Sequence, residues 1–384
     1  MRAALMGVLL AMFGCGAPVP SETDGGAGGG VATGGAAGGG SGGALGGGSG
    51  GALGGGSGGG AVGGGSGGGA GGGGGGGGTV DAGCVLSSCG SPDVAGPYAV
   101  HQGTHSLVLA RTIALTTFTP VGAPRGPVVI IHPGFQLGGD LYTSYAQHLA
   151  SRGYVAIIAD PPDALVFGPT QAELATYLKG VISWVESEST DGGFVGVADP
   201  SLLGLAGHSM GGKISLLVAT SDARPRAVFG IDPVDSAGGP LSSPGPDYPS
   251  VTPELMSSIH VPLGLVGETT NATCSGSFCQ ACAPAAENFA QYASHSTSPT
   301  VSLEVVGANH MSFLDNPSCG LTCSACSAGT DDVTQTRRFT RRSMTAFFDL
   351  ELRGDTGARD WLAGSALQPQ IADGGVRLVV QNGF

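Results

Sequence analysis

The chain has 384 residues, of which 75 are glycine and only 11% are charged, and its formal net charge is -13. This acidic balance, with few basic side chains, argues against a nucleic-acid partner and against a polybasic membrane patch. We expect the one local group of basic residues to lie on the solvated face of a helix, and this group comprises Arg337, Arg338, Arg341 and Arg342.

Residues 1–15 have the features of a bacterial export signal. Arg2 supplies one positive charge, and the apolar run at 3–13 is too short to span a bilayer as a mature helix. Cys15 follows in a context that resembles a lipobox, so we predict that it is lipidated. Cleavage without a lipid is the alternative, because Met12 stands where leucine is usual. The protein is therefore expected to be a lipoprotein of the bacterial cell envelope, at the outer membrane or surface, or otherwise a secreted protein.

Residues 16–78 are dominated by glycine, with scattered serine, alanine and leucine. A segment of this composition cannot bury enough apolar surface to offset its backbone entropy, so the sequence predicts a disordered tether. The remaining residues, 79–384, have the length of one large domain.

In the remainder of the chain, short apolar runs alternate with segments of helical period, which predicts an α/β fold. Because the runs are apolar almost throughout, we expect a mainly parallel sheet with helices on both faces. Residues 98–119 are expected to add antiparallel strands at the front edge, and the C-terminal tail one more strand. The predicted parallel strands are 128–131, 155–159, 202–206, 227–231, 262–266 and 301–306. The predicted helices are 141–152, 174–185, 211–220, 285–294 and 334–350.

Ser209 lies in the segment "GLAGHSMGGKISLLVA", where a predicted strand turns into a predicted helix. A nucleophile elbow needs this context: its glycines let the strand and helix approach closely, and the sharp turn exposes the hydroxyl. The N-terminus of the following helix favours developing negative charge. We therefore interpret Ser209 as a nucleophile rather than as a small residue in a packing turn.

A serine nucleophile needs a base, and the base needs an acid to orient it. His310, in "GANHMSF", follows the last strong predicted strand and is the predicted base. Two acidic residues end strands after the serine, Asp232 and Glu268, and Asp235 is a third candidate. The residues alone leave the choice of acid open.

The oxyanion hole requires two N–H groups directed at the charge that develops on the substrate oxygen. Met210 directly follows the nucleophile, and its backbone N–H is one predicted donor. The second is the N–H of Phe135 in the loop "HPGFQ", where Gly134 permits a tight turn.

Five segments together resemble the chlorophyllase branch of the α/β-hydrolase superfamily. They are "IIHPGFQLGGDLYTSYAQHLASRGYVAIIAD", "GHSMGGKISLLVA", "GIDPVD", "CAP" with "ENF" after it, and "NHMSFLDN", in order between residues 128 and 315. The resemblance implies an α/β-hydrolase fold, with Ser209 as nucleophile, His310 as base and Asp232 rather than Glu268 as acid. "HPGF" and "GHSMGG" are also similar to bacterial cutinase-like polyesterases, which place their acid at the position of Thr270.

The chain has nine cysteines, and eight remain after Cys15 is set aside. An even number in an exported chain predicts disulfides, with the connectivity open. The alternative is a structural zinc site, because the pairs Cys279–Cys282 and Cys323–Cys326 both have the C-x-x-C spacing. No cofactor and no catalytic metal are predicted.

The sequence thus predicts a carboxylic ester hydrolase that forms an acyl-enzyme on Ser209. We expect small-molecule or polymeric ester substrates, a monomer, and attachment to the membrane through the lipid on Cys15. The alternative is a catalytically silent cell-surface binding lipoprotein that keeps the fold. A transferase using the same acyl-enzyme is a third hypothesis.

Overall fold

A computed structural model of the chain describes residues 90–162, 168–237, 243–274 and 281–384. The predicted export signal, the lipidation site Cys15 and the predicted tether at 16–78 lie outside these residues, as do Cys84, Cys89 and Cys279.

Nine strands of the described part of the chain form one sheet, in the order β1-β2-β4-β3-β5-β6-β7-β8-β9. The six strands from β3 to β8 are parallel, while β1, β2 and β9 are antiparallel to their neighbours. This confirms the mainly parallel sheet and its antiparallel front edge. The strands are β1 (Val100–Val108), β2 (Thr112–Pro120), β3 (Gly126–His132), β4 (Val155–Asp160), β5 (Ala198–His208), β6 (Pro225–Ile231), β7 (Leu263–Glu268), β8 (Thr300–Val305) and β9 (Val376–Gln381).

All five predicted helices are present among the described residues, although the fourth begins later than predicted, and three short helices that were not predicted lie after residue 320. They are α1 (Thr143–Ser151), α2 (Gln171–Asp191), α3 (Met210–Ala219), α4 (Phe289–His295), α5 (Leu321–Ser324), α6 (Val333–Arg353), α7 (Asp360–Ala363) and α8 (Gln368–Ala372). The predicted helix 285–294 began too early, because residues 284–287 form a turn and the Asn288 side chain caps the start of α4 by accepting from the Ala290 N–H. None of these helices combines the length and apolar character needed to cross a bilayer.

Helices cover both faces of the sheet. In β3, Val129 and Ile131 belong to a core that includes α1 and α6, while Val128 and Ile130 belong to a second core that includes α2, α3 and α4. Because alternate side chains of a strand enter opposite faces, a strand buried on both faces must be apolar throughout. This explains the apolar runs and confirms the α/β-hydrolase type of layering.

The expectation of a solvated arginine face is wrong for Arg342. Its side chain is buried in α6, and its guanidinium carbon lies 4.8 Å from the centre of the Phe339 ring and 5.5 Å from that of Trp361. Arg338, one turn earlier, is exposed and pairs with Asp93. An arginine is expected to face solvent because its side chain is charged. Here the faces of the two aromatic rings attract the flat guanidinium of Arg342 and favour its burial.

Candidate active site

Ser209 stands between the last residue of β5 and the first residue of α3, in a turn too tight for ordinary side chains around it. Its backbone has φ 54° and ψ -122°, a conformation that L-residues rarely adopt. A Cβ at Gly207 would collide with the backbone of Gly211, and a Cβ at Gly211 would collide with the carbonyl of His132. The glycines therefore let strand and helix approach closely and hold Ser209 at the carboxyl edge of the sheet.

The side chains predicted as nucleophile, base and acid lie in one row at this edge. His310 Nε2 lies 2.8 Å from Ser209 Oγ, and His310 Nδ1 lies 2.6 Å from Asp232 Oδ2. Asp232 and His310 are buried, whereas Ser209 is partly exposed. The Nδ1–H of His310 thus donates to the carboxylate, which leaves Nε2 to accept from the serine hydroxyl, the only one of the three open to solvent.

Burial governs the titration of this pair. It lowers the pKa of His310 to about 4, so the imidazole is neutral at neutral pH and Nε2 keeps its lone pair. Burial also raises the pKa of Asp232, and a hydrogen bond from the backbone N–H of Glu268 opposes this shift. The arrangement can accept a proton from the serine and stabilise the resulting imidazolium with a nearby acid.

Glu268 ends β7, but the hydrogen bonds of its side chain are with its own loop. Its carboxylate accepts hydrogen bonds from the backbone N–H groups of Thr270 and Asn271. Burial, and then the proximity of Asp232, raise the pKa of Glu268 to about 8. Glu268 therefore shapes the turn after β7 and carries a proton near neutral pH.

Asp235, the third candidate acid, forms a buried ion pair with Lys213 of α3 at 3.1 Å. Its carboxylate also accepts hydrogen bonds from the backbone N–H groups of Val251 and Thr252. These contacts hold the loop after β6 against α3, the helix that follows Ser209. Of the three candidate acids, only Asp232 is hydrogen-bonded to His310 in the described contacts.

Asn271 supports the loop that carries His310, and no local sequence pattern indicated this role. Its side-chain oxygen accepts from the backbone N–H of His310 at 2.9 Å, and its amide donates to the carbonyl of Ser327 at 3.0 Å. Asn309 donates to the same carbonyl at 2.8 Å. This support joins parts of the chain 56 residues apart, so no local pattern could indicate it.

Two disulfides join described residues in this region, Cys282–Cys326 and Cys319–Cys323. The first joins the segment before α4 to the residue that precedes Ser327. The structure thus supports the disulfide interpretation for these four cysteines, and the zinc alternative is wrong for Cys282, Cys323 and Cys326 because their sulfurs are joined in disulfides.

Of the two residues predicted to form the oxyanion hole, one directly follows Ser209 and the other directly follows Gly134, which lies beside Ser209. Met210 is the first residue of α3, and Phe135 follows Gly134 in the loop after β3. A Cβ built on Gly134 would lie 3.3 Å from Ser209 Cβ, so this loop runs directly beside Ser209. The Gly134 N–H donates to the hydroxyl of Tyr142 at 3.1 Å, and Phe135 is half-buried against the second core.

A mainly parallel sheet with a nucleophile elbow after β5 and a histidine after β8 defines an α/β-hydrolase. The family model described as Chlorophyllase matches residues 94–370, more than half of the chain. The chain belongs to the chlorophyllase family, which confirms the resemblance stated from its motifs.

Individual relatives in this family are distant. The chain is 24% identical over 253 residues to Chlorophyllase-2 of Arabidopsis thaliana, an alignment that covers 63% of this chain and 78% of the relative. It is 26% identical over 255 residues to chloroplastic Chlorophyllase-1 of Citrus sinensis, covering 63% of this chain and 73% of the relative. These similarities support an ester hydrolase of the α/β-hydrolase type.

Proposed function

We propose that this protein is a serine esterase whose nucleophile, base and acid are Ser209, His310 and Asp232. The observation that carries the proposal is the pair of hydrogen bonds in series, 2.6 Å from acid to base and 2.8 Å from base to serine. Such a row gives a hydroxyl the base it lacks and gives the base a fixed orientation.

In the first half of the reaction, Ser209 Oγ attacks the ester carbonyl while His310 Nε2 takes its proton. The oxygen of the tetrahedral intermediate accepts hydrogen bonds from the N–H groups of Met210 and Phe135. When the intermediate collapses, the C–O bond to the alcohol breaks, and the imidazolium gives its proton to the leaving alkoxide. Asp232 stabilises the imidazolium throughout.

In the second half, water attacks the acyl-enzyme and His310 takes its proton. The carbonyl–Oγ bond breaks, the proton passes to Ser209, and the carboxylic acid leaves. The neutral imidazole that burial maintains is the form required at the start of both halves.

For the substrate we propose carboxylic esters, as small molecules or in polymers. The relatives carry the name chlorophyllase, which supports ester cleavage as the reaction class. Gly134 lies beside the partly exposed Ser209, and the next residue, Phe135, is half-buried, so it could offer an apolar side chain to an apolar group of the ester.

We also propose that the esterase acts outside the cytoplasm as a monomeric lipoprotein. The signal-like residues 1–15, the cysteine at position 15 and the glycine-rich residues 16–78 support this proposal. Radiolabelled palmitate on the wild-type protein but not on Cys15→Ala tests the lipid, and equal labelling of both would contradict it.

The esterase is tested with p-nitrophenyl esters of increasing acyl length. We expect the full chain to turn them over, and Ser209→Ala and His310→Ala each to lower kcat on the order of 10⁴-fold or more. Ser215→Ala is the matched control, because Ser215 is a buried serine of α3, the helix that follows Ser209, and its hydroxyl bonds only to backbone carbonyls in the described contacts. No turnover by the parent, with no labelling by a fluorophosphonate, would instead favour a silent binding protein.

A further inference from the structure

A buried chain of hydrogen bonds joins residues 133–136, the loop after β3 that carries Phe135 and is called the oxyanion loop below, to the backbone of His310. The Gly134 N–H lies 3.1 Å from the Tyr142 hydroxyl, which lies 2.9 Å from His208 Nδ1. His208 Nε2 lies 2.9 Å from the carbonyl oxygen of His310. Tyr142 and His208 are fully buried, so no solvent competes for these bonds.

The direction of every bond in this chain is fixed by its two ends. The Gly134 N–H can only donate and the His310 carbonyl can only accept, so His208 Nε2 must carry the proton. The neutral imidazole then has its lone pair on Nδ1, and the Tyr142 hydroxyl donates to it while accepting from Gly134. Burial, with the nearby His310, lowers the pKa of His208 and maintains this neutral form.

The chain links two strands that present different parts of the site. Gly134 follows β3 and immediately precedes Phe135, while His310 follows β8. Ring packing runs along the same path: the His208 ring centre lies 5.9 Å from that of Tyr142 and 4.6 Å from that of His310. Ring packing and hydrogen bonds therefore both constrain the distance between the oxyanion loop and His310.

We propose that Tyr142 and His208 are positioning residues that hold the oxyanion loop and His310 in register around Ser209. The proposal rests on the proposed esterase and adds residues that touch neither substrate nor the reacting atoms. Positioning matters for the rate because a displacement of about 1 Å in a catalytic group lowers turnover by roughly 100-fold. A merely structural role would lower stability and leave each folded molecule fully active.

Tyr142→Phe is the sharpest perturbation, because it keeps the ring and removes only the hydroxyl. It takes away the partner that Gly134 and His208 share within this chain of bonds. We expect kcat per active site to fall roughly 10- to 100-fold while KM changes by less than about threefold. Titration of Ser209 with a fluorophosphonate counts the active molecules, so a loss of folded protein does not enter kcat.

Tyr154→Phe is the matched control. Tyr154 is equally buried and its hydroxyl lies 2.7 Å from Asp349, but it precedes β4, at the edge of the sheet opposite the site. This variant removes a hydrogen bond to a carboxylate, so its melting temperature should fall at least as far as that of Tyr142→Phe. Its kcat per titrated site should equal that of the parent.

Two substitutions of His208 keep the proposal testable if Tyr142→Phe folds poorly. A glutamine can offer an N–H to the His310 carbonyl and an oxygen to Tyr142, whereas a leucine can offer neither. We expect His208→Gln to retain at least tenfold more kcat per titrated site than His208→Leu.

Equal kcat for those two variants, or a Tyr142→Phe protein within twofold of the parent, would overturn the positioning role. Absence of turnover and of labelling in the parent is a different result. It would overturn the proposed esterase, and the positioning role with it.

Discussion

The Cys282–Cys326 disulfide should hold the His310 loop in place, and its removal gives the most quantitative prediction. It closes a loop with a sequence separation of 44, which corresponds to about 4 kcal/mol of lost unfolded-state entropy. Cys319–Cys323 closes a separation of only 4, which corresponds to about 2 kcal/mol. The second pair is therefore an internal control of the same chemistry.

The test replaces each pair by alanines and measures thermal unfolding and ester hydrolysis. For a domain of this size, about 4 kcal/mol lowers the melting temperature by roughly 6–8 °C, and about 2 kcal/mol by about half as much. Only the first pair adjoins Ser327, whose carbonyl binds the Asn271 and Asn309 side chains behind His310. We therefore expect kcat per titrated site to fall in the first double variant and to stay at the parent value in the second.

Equal losses of melting temperature in the two double variants, with kcat unchanged in both, would refute this reasoning. That result would mean that the long crosslink neither limits the unfolded chain nor supports the base. Asn271→Ala separates the two effects, since it removes the hydrogen bond to His310 and leaves both disulfides intact.

Three further predictions concern buried ionisable groups. Asp235→Ala removes the carboxylate that neutralises the buried Lys213, whose ammonium keeps only backbone carbonyl acceptors, and it should destabilise the fold by about 3–5 kcal/mol. Lys213→Met should cost less, because it leaves the carboxylate its N–H donors, and the opposite order in urea unfolding would contradict this. Because burial lowers the pKa of His310 to about 4, kcat/KM should stay level on acidification to about pH 5 and fall only below it, as the base is protonated. A midpoint of the pH profile of kcat/KM at 6.5 or above would show that burial does not set this pKa. The pKa of Glu268 is raised from 4.5 to about 8, so the contribution of its protonated form to stability is complete below pH 4.5 and is lost as the pH rises towards 8. The melting temperature of Glu268→Gln should therefore rise relative to that of the parent between pH 5 and 8. A difference in melting temperature that does not change with pH would exclude the raised pKa.

Local patterns predicted the framework of the fold well. Each of the six predicted parallel strands is present, because a strand covered on both faces must be apolar throughout. The errors came where tertiary contacts override local pattern. Asn288 caps α4 later than the predicted start, and Arg342 is buried between aromatic rings.

In the candidate site, too, residues marked by local pattern were predicted, whereas residues placed by tertiary contacts were not. Ser209, Asp232 and His310 follow strands, so the order of elements along the chain indicated that they would meet, and the structure brings them into contact. Tyr142 and Asn271 could not be foreseen, because their partners lie 66 and 39 residues away and depend on how the loops pack.

The most direct test of the central claim is to trap the acyl-enzyme. The full chain would be mixed with a p-nitrophenyl ester, quenched in acid within milliseconds and digested for mass spectrometry. The account predicts an acyl group on Ser209 of the peptide that contains it, and no adduct in Ser209→Ala. Ester hydrolysis with the adduct on another residue, or undiminished hydrolysis by Ser209→Ala, would contradict the account.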